Sequence, residues 1–172
     1  EQTRAELTLR EDVHKFVALL KKYFEPFKNA YLLYTATQTG VRETRHIKGV
    51  HVLTGEEYIN AVYFPDSIAR GAHPVDIHSS SDSGQKCEFL KEAAYIPYRS
   101  IIVKDFPNLL VAGRSFSADR DAFASARVMG CVMGIGQAAG YAAAMACETS
   151  CDVKDINIDK LRKTLINIGA NI

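Results

Sequence analysis

Arg42, Glu43, Thr44 and Arg45 form a dense charged run in the first third of the chain. A planar guanidinium presents paired N–H donors that match a carboxylate, which Arg42 and Arg45 each offer. The plainer account of the same run is a solvated strand edge crossed by ion pairs. His73, Asp76 and His78 follow. Their spacing is not one that converges two histidines on a metal from a helix or hairpin, and no metal site is expected. A strand over residues 75–78 would set Asp76 and His78 on one face, because side chains alternate. An acid beside an imidazole suits proton transfer, with His78 as the shuttle. A histidine satisfied within packing is the competing account. Tyr98 and Arg99, just after Ile96 and Pro97, are further candidates for substrate contact, again against simple strand packing.

The richest polar stretch is residues 114–120, RSFSADR, with more hydrogen-bonding capacity than a connector needs. Functional residues concentrate on such loops. Cys131 stands alone at a presumed helix start, where a thiol pKa can fall. A small buried packing residue is the more ordinary role for a free cysteine. The 4 cysteines, Cys87, Cys131, Cys147 and Cys151, show no zinc-like pairing and are expected as free thiols in a reducing compartment.

These residues need a frame. Residues 108–113, NLLVAG, form a short apolar run after Pro107 that reads as a strand covered on both faces, with its C-terminal end a natural ligand position. From about Val132 the period becomes helical and the side chains shrink to Gly134, Gly136, Ala138, Ala139, Gly140, Ala142, Ala143, Ala144 and Ala146. Glycine inside a helix costs roughly 1 kcal/mol against alanine, so a compensating gain is expected, either close packing or exposed backbone beside a ligand. The N-terminus of such a helix attracts negative charge through its free N–H groups and dipole. A helix is expected over residues 3–23, with Leu7, Val13, Phe16, Val17 and Leu20 on one side and Pro26 ending it. Residues 31–38 and 41–48 read as strands, and Thr54 with Glu57 as a capping box that starts a short helix. Residues 79–85, SSSDSGQ, read as a flexible loop, and residues 159–168 as a last amphipathic helix stopped by Gly169.

The glycine-rich helix admits two further readings. Gly134, Gly136 and Ala139 satisfy a loose GxGxxA, with Asp155 downstream as a ribose acid, but the preceding ASARVMGCVMG is a poor strand, which weighs against an independent NAD(P)-binding site. Residues 128–147 also have the length of a membrane span and a GxxxG at Gly136 and Gly140. Alanine, glycine and a central Gln137 drive insertion weakly, and a buried helix of a soluble protein is expected instead.

The strand and turn NLLVAGRSFSADRDAFASARVMG, followed by GQAAGYAAAMA, resembles the C-terminal part of the FAD-dependent oxidoreductases of the glutathione-reductase-like and fumarate-reductase-like superfamily, in an uncharacterised branch. The resemblance extends to GVRETRHIKGVHVLTGEEY, HPVDIH, YIPYRSIIV and the terminal KLRKTLINIGANI, and so covers most of the chain. It implies an α+β or α/β fold: a mixed β-sheet portion of a substrate or cap domain over residues 1–100, then the returning strand and C-terminal helices of an FAD-binding domain over residues 101–172. It implies FAD as cofactor, hydride transfer as chemistry and a small-molecule substrate. Gly113, Arg114 and Ser115 would lie beside the cofactor, with Arg127, Met129, Gly130, Cys131, Val132 and Met133 leading into the helix that faces it. Arg42 and Arg45 would lie near the junction of substrate and flavin domains, which implies a substrate-side or flavin-side catalytic role for both, their guanidiniums suited to a carboxylate.

The glycine-rich unit that grips the FAD pyrophosphate has no match in residues 1–34. The chain is therefore expected to be the C-terminal piece of a longer flavoprotein, inactive alone, whose partner is the missing N-terminal FAD-binding half. Its composition is that of an ordinary globular protein, 47% hydrophobic and 24% charged, and a net charge of +1 gives no reason to expect nucleic acid or an anionic membrane. No signal peptide is visible, and a cytoplasmic location is expected. The contrasting reading is a non-catalytic interaction module whose small-residue helix packs on a partner.

Overall fold

The computed structural model describes residues 1–78 and 85–172. Most of the expected serine-rich loop lies outside the described residues. By contacts the chain forms two compact units, Glu1–Val41 and Arg42–Ile172.

The first unit is built on helix α1, Gln2–Tyr23. Pro26 sits in the one-turn helix Glu25–Phe27 that follows, where a missing N–H costs nothing. The strand expected at residues 31–38 does not form. Two of its carbonyls are taken by a side chain of α1, since Arg10 donates to the Ala36 carbonyl at 3.2 Å and to the Thr37 carbonyl at 3.4 Å as well as to Thr35 Oγ1, and just beyond it Glu6 accepts from the Thr39 N–H. Carbonyls satisfied this way need no ladder partner. The expected apolar side of α1 is real as a pattern but buries nothing completely; Leu7, Val13 and Phe16 are exposed, and Val17 and Leu20 half-buried.

The second unit is α+β and holds the core. Helix α2, Gly55–Ile59, begins at the expected capping box: Thr54 Oγ1 accepts from the Glu57 N–H while the Glu57 carboxylate accepts from the Thr54 N–H. Strand β1, Ser67–Gly71, pairs antiparallel with β4, Ala94–Pro97, through a bulge between Ser67 and Ala69. The expected strand β2, Val75–His78, pairs antiparallel with β3, Gln85–Glu88, so that His78 lies opposite Gln85. Helices α3, Arg120–Ala126, α4, Met129–Thr149, and α5, Ile158–Asn167, complete the unit, with Gly169 at φ +85° just past the end of α5. One cluster joins Tyr58, Ile68, Val75, Ile96, Phe116, Phe123, Ile135 and Leu161, so α2, β1, β2, β4, α3, α4 and α5 share a core.

Two further expected strands are corrected. Residues 41–48 form no ladder beyond the isolated bridge of Gly49 to Val103. Charges on both faces of that stretch leave it no apolar side to bury, which removes the gain that fixes a strand. Residues 108–113 do not form a strand covered on both faces. They meet the rest of the chain through one bridge, Ile102 to Leu110, flanked by Val111 N–H to the Ile101 carbonyl at 2.9 Å. Leu109 is exposed, and Leu110, Val111 and Ala112 are half-buried. An apolar run acquires strand geometry only when ladder partners flank it, and here one edge alone is paired.

Helix α4 starts three residues before the expected Val132, at Met129. It is buried along one face only, through Cys131, Ile135, Ala138, Ala142, Met145 and Ala146. This face packs on β1 and α5. Among the described residues α4 alone is long and apolar enough to cross a membrane.

Candidate functional site

The charged run at residues 42–46 is held against the 113–116 turn by backbone and by one histidine. The Ile47 N–H donates to the Ser115 carbonyl at 2.9 Å. His46 lies edge-on to Phe123 with ring centroids 4.5 Å apart, its Nδ1 is 3.0 Å from the Phe116 carbonyl, and its Nε2 is 3.1 Å from Glu43. Glu43 is thus engaged, whereas Arg42 and Arg45 are exposed and make no ion pair among the described residues. The cross-strand ion pairs of the plainer account are absent from these two arginines, which leaves both guanidiniums available to an anion. Gly113 adopts φ +82°, a conformation that glycine alone reaches without strain, and its surroundings are open. Arg114 beside it is exposed and Ser115 half-buried.

Asp119 then turns the chain into α3. Its Oδ1 accepts from the Ala122 N–H at 2.9 Å as an N-cap, and its Oδ2 accepts from the Gly55 N–H at 2.9 Å, so one carboxylate ties the starts of α2 and α3 together. The polar stretch 114–120 read from the sequence is therefore partly structural. Arg127, half-buried, closes α3. Residue 128 caps α4 with no side-chain hydrogen bond, and Met129, Gly130 and Met133 are exposed. The first N–H groups of an α-helix have no partner inside the helix, so this end offers free donors and the positive end of a dipole.

The small residues of α4 divide by task. A Cβ on Gly134 would come within 3.3 Å of Ala69 Cβ, so this glycine lets the helix approach β1 closely. Gly130, Gly136 and Gly140 face open space, and Met129, Gln137, Ala143 and Ala144 are exposed with them. Close packing, one of the two gains expected of the glycines, is thus present at Gly134, while Gly130, Gly136 and Gly140 leave backbone open to the surroundings.

Cys131 points the other way, into the core. Its Sγ lies 3.9 Å from the Arg70 carbonyl, beside Gly71, where a Cβ would fall 2.8 Å from that sulfur and 2.0 Å from the Tyr58 hydroxyl. Burial pushes the thiol pKa up, opposed in part by the Tyr58 hydroxyl. Activation by the helix start is therefore overturned; desolvation outweighs the dipole. Tyr58 is fully buried; its hydroxyl makes no hydrogen bond of ordinary geometry among the described residues, only weaker interactions with Ser125 and Cys131, and its pKa is also raised, first by burial. Tyr58 and Asp119 are not candidates in the sequence reading. A DxxA start before an alanine-rich run marks the second; nothing local marks the first, because its neighbours Gly71 and Cys131 arrive from distant segments.

Tyr98 and Arg99 are engaged structurally. The Tyr98 hydroxyl donates to the Val153 carbonyl at 2.7 Å, and Arg99 Nε donates to Asp66 at 3.0 Å. The backbone of His78 ends β2. Asp76 is half-buried on the same strand. Among the described residues no group of His, Cys, Asp or Glu is placed to hold a metal ion, and all four cysteines are free.

An uncapped helix end beside an open, side-chain-poor helix face fits the edge of a planar ring that becomes anionic, which is what the flavin implied by the sequence resemblance would present. The sequence model of a family described as FAD dependent oxidoreductase matches residues 1–165. No curated protein and no solved structure matches the chain.

Proposed function

The chain belongs to the FAD dependent oxidoreductases, and from that premise we propose that it forms the C-terminal, substrate-facing and ring-facing part of an enzyme that transfers hydride between an organic substrate and FAD. The observation that carries this reading is the exposed, uncapped start of α4 next to an open face of small residues. When bound, the flavin supplies the hydride chemistry. The free N–H groups at Met129, Gly130 and Cys131 would donate to the pyrimidine edge, and the helix dipole would favour negative charge there. Gly113, Arg114, Ser115 and Arg127 would line the same cofactor, with Val132 and Met133 on the helix turn above it.

On the substrate side, Arg42 and Arg45 would orient a carboxylate and His78 would hold or pass a proton at the substrate. In this reading residues 101–172 serve the cofactor and residues 1–100 the substrate, and the dinucleotide half of FAD is gripped by chain outside these 172 residues. The test is the visible spectrum of the full-length gene product, freshly purified, before and after denaturation. A flavin spectrum that passes to the supernatant is expected; a colourless protein that cannot be reconstituted with FAD overturns the proposal.

A further inference from the structure

The second unit carries a groove lined by none of the residues proposed above to serve flavin or substrate, with a volume of about 500 Å³, lined among others by Pro65, Tyr98, Arg99, Ile102, Lys154 and Ile156. Small-molecule sites usually fall within roughly 300–1,000 Å³, with apolar walls and a few convergent polar groups. The floor meets that description: Tyr98, Ile102 and Ile156 are buried.

Both walls are pinned. On one, Asp66 accepts from the Arg99 backbone N–H at 3.1 Å, from Nε at 3.0 Å and from Nη2 at 3.3 Å, and its carbonyl accepts from the Tyr98 N–H at 2.8 Å. On the other, the Val153 carbonyl accepts from the Tyr98 hydroxyl at 2.7 Å, the Val153 N–H reaches the Pro107 carbonyl at 2.9 Å, and Arg162 fastens α5 to the Ser67 carbonyl at 2.6 Å. A groove fixed in advance loses less entropy when it is filled.

The charges decide what fills it. Asp66, Asp159, Arg99 and Lys154 line the groove. Asp66 and Arg99 balance each other's charge as an ion pair. Lys154 has only a loose 3.9 Å contact with Asp152, both about half exposed, and such pairs contribute about 0–1 kcal/mol. Asp159 has no ion pair among the described residues. The open charges are therefore one cation and one anion above an aliphatic floor. A purely anionic ligand meets Asp159, and a purely cationic one meets Lys154.

We infer that this groove binds a small zwitterion with an aliphatic body, a free amino acid or a short peptide, its carboxylate at Lys154 and its ammonium at Asp159. The inference is independent of the flavin.

The 172-residue chain, uniformly ¹⁵N-labelled, is titrated with leucine, leucyl-leucine, glycine and acetyl-leucyl-leucinamide, following amide shifts by NMR. Leucine or leucyl-leucine is expected to shift Ile102, Lys154, Ile156 and Ile158 saturably, and the tighter of the two sets the length of the ligand. The capped peptide, and the free ligand with Lys154→Gln or Asp159→Asn, are each expected to bind about tenfold more weakly, which corresponds to 1.4 kcal/mol. Both residues are exposed, so these variants fold. No saturable shift with either leucine compound, equal response to glycine, or a capped peptide that binds as well as the free one overturns the inference.

Discussion

At Gly71 a single missing carbon decides the local packing. Any side chain there would overlap the Tyr58 hydroxyl and press on Cys131, all three buried. Gly71→Ala is therefore expected to destabilise the fold by about 1–3 kcal/mol, as overpacking does, read as a lower urea midpoint at unchanged slope. Tyr58→Phe removes a buried hydroxyl whose contacts with Ser125 and Cys131 are not of ordinary hydrogen-bond geometry, and is expected to leave stability nearly unchanged or raise it. Loss of more than about 1 kcal/mol in Tyr58→Phe would mean that the hydroxyl is bonded after all. The raised pKa of Cys131 has a defined sign. The folded chain keeps this proton where the unfolded chain releases it, so stability is full below the ordinary thiol value of 9.0 and is lost as pH rises through the raised value. Tyr58 adds to the same alkaline loss. Thiol labelling of the native chain at pH 8 is accordingly expected at exposed Cys87 and Cys147 and not at Cys131 until denaturant is added. Prompt labelling of Cys131 would contradict its burial.

Among the elements, Asp119 makes the sharpest prediction. It caps α3 with one oxygen and holds the Gly55 N–H at the start of α2 with the other. Asp119→Ala should cost about 2 kcal/mol, at the upper end for a cap. Asp119→Asn, which keeps one acceptor oxygen, should fall between it and the wild type by urea denaturation; two variants of equal cost would show that only one of the bonds matters. The helices were legible in the sequence wherever their ends carry local chemistry: Pro26 after α1, Thr54 with Glu57 before α2, and Gly169 after α5. Strands were less so. Residues 31–38, 41–48 and 108–113 have strand-like composition, but a ladder depends on what lies alongside, and α1 side chains, solvent and a single bridge lie there instead. β1 went unread for the converse reason, since Ser67–Gly71 becomes a strand through its distant partner Ala94–Pro97. The candidate site divides likewise. The open end and small face of α4 follow from composition and period, whereas the inward turn of Cys131 depends on Tyr58 and Gly71.

For the molecule as a whole, the proposed division of labour sets what these 172 residues do alone. In that proposal the ring-facing groups lie within these residues and the pyrophosphate grip lies outside them. FAD titrated into the isolated chain, followed by flavin fluorescence, is expected to give weak binding or none, and tight stoichiometric binding would overturn that division. In the full-length enzyme, Arg42→Ala is expected to raise KM for an anionic substrate more than it lowers kcat, because its guanidinium is proposed to hold the substrate carboxylate rather than the reacting bond. Unchanged turnover would remove Arg42 from the substrate side.

The open start of α4 also exposes sulfur. Met129 and Met133 lie one turn apart with 80% and 72% of their surfaces accessible, while Met145 on the same helix is 7% accessible. Thioethers that meet solvent are the ones peroxide reaches, and conversion to sulfoxide makes a flexible apolar side chain polar. The part of the surface proposed to approach the flavin ring is thus also open to oxidative wear, with Met145 as its protected internal standard.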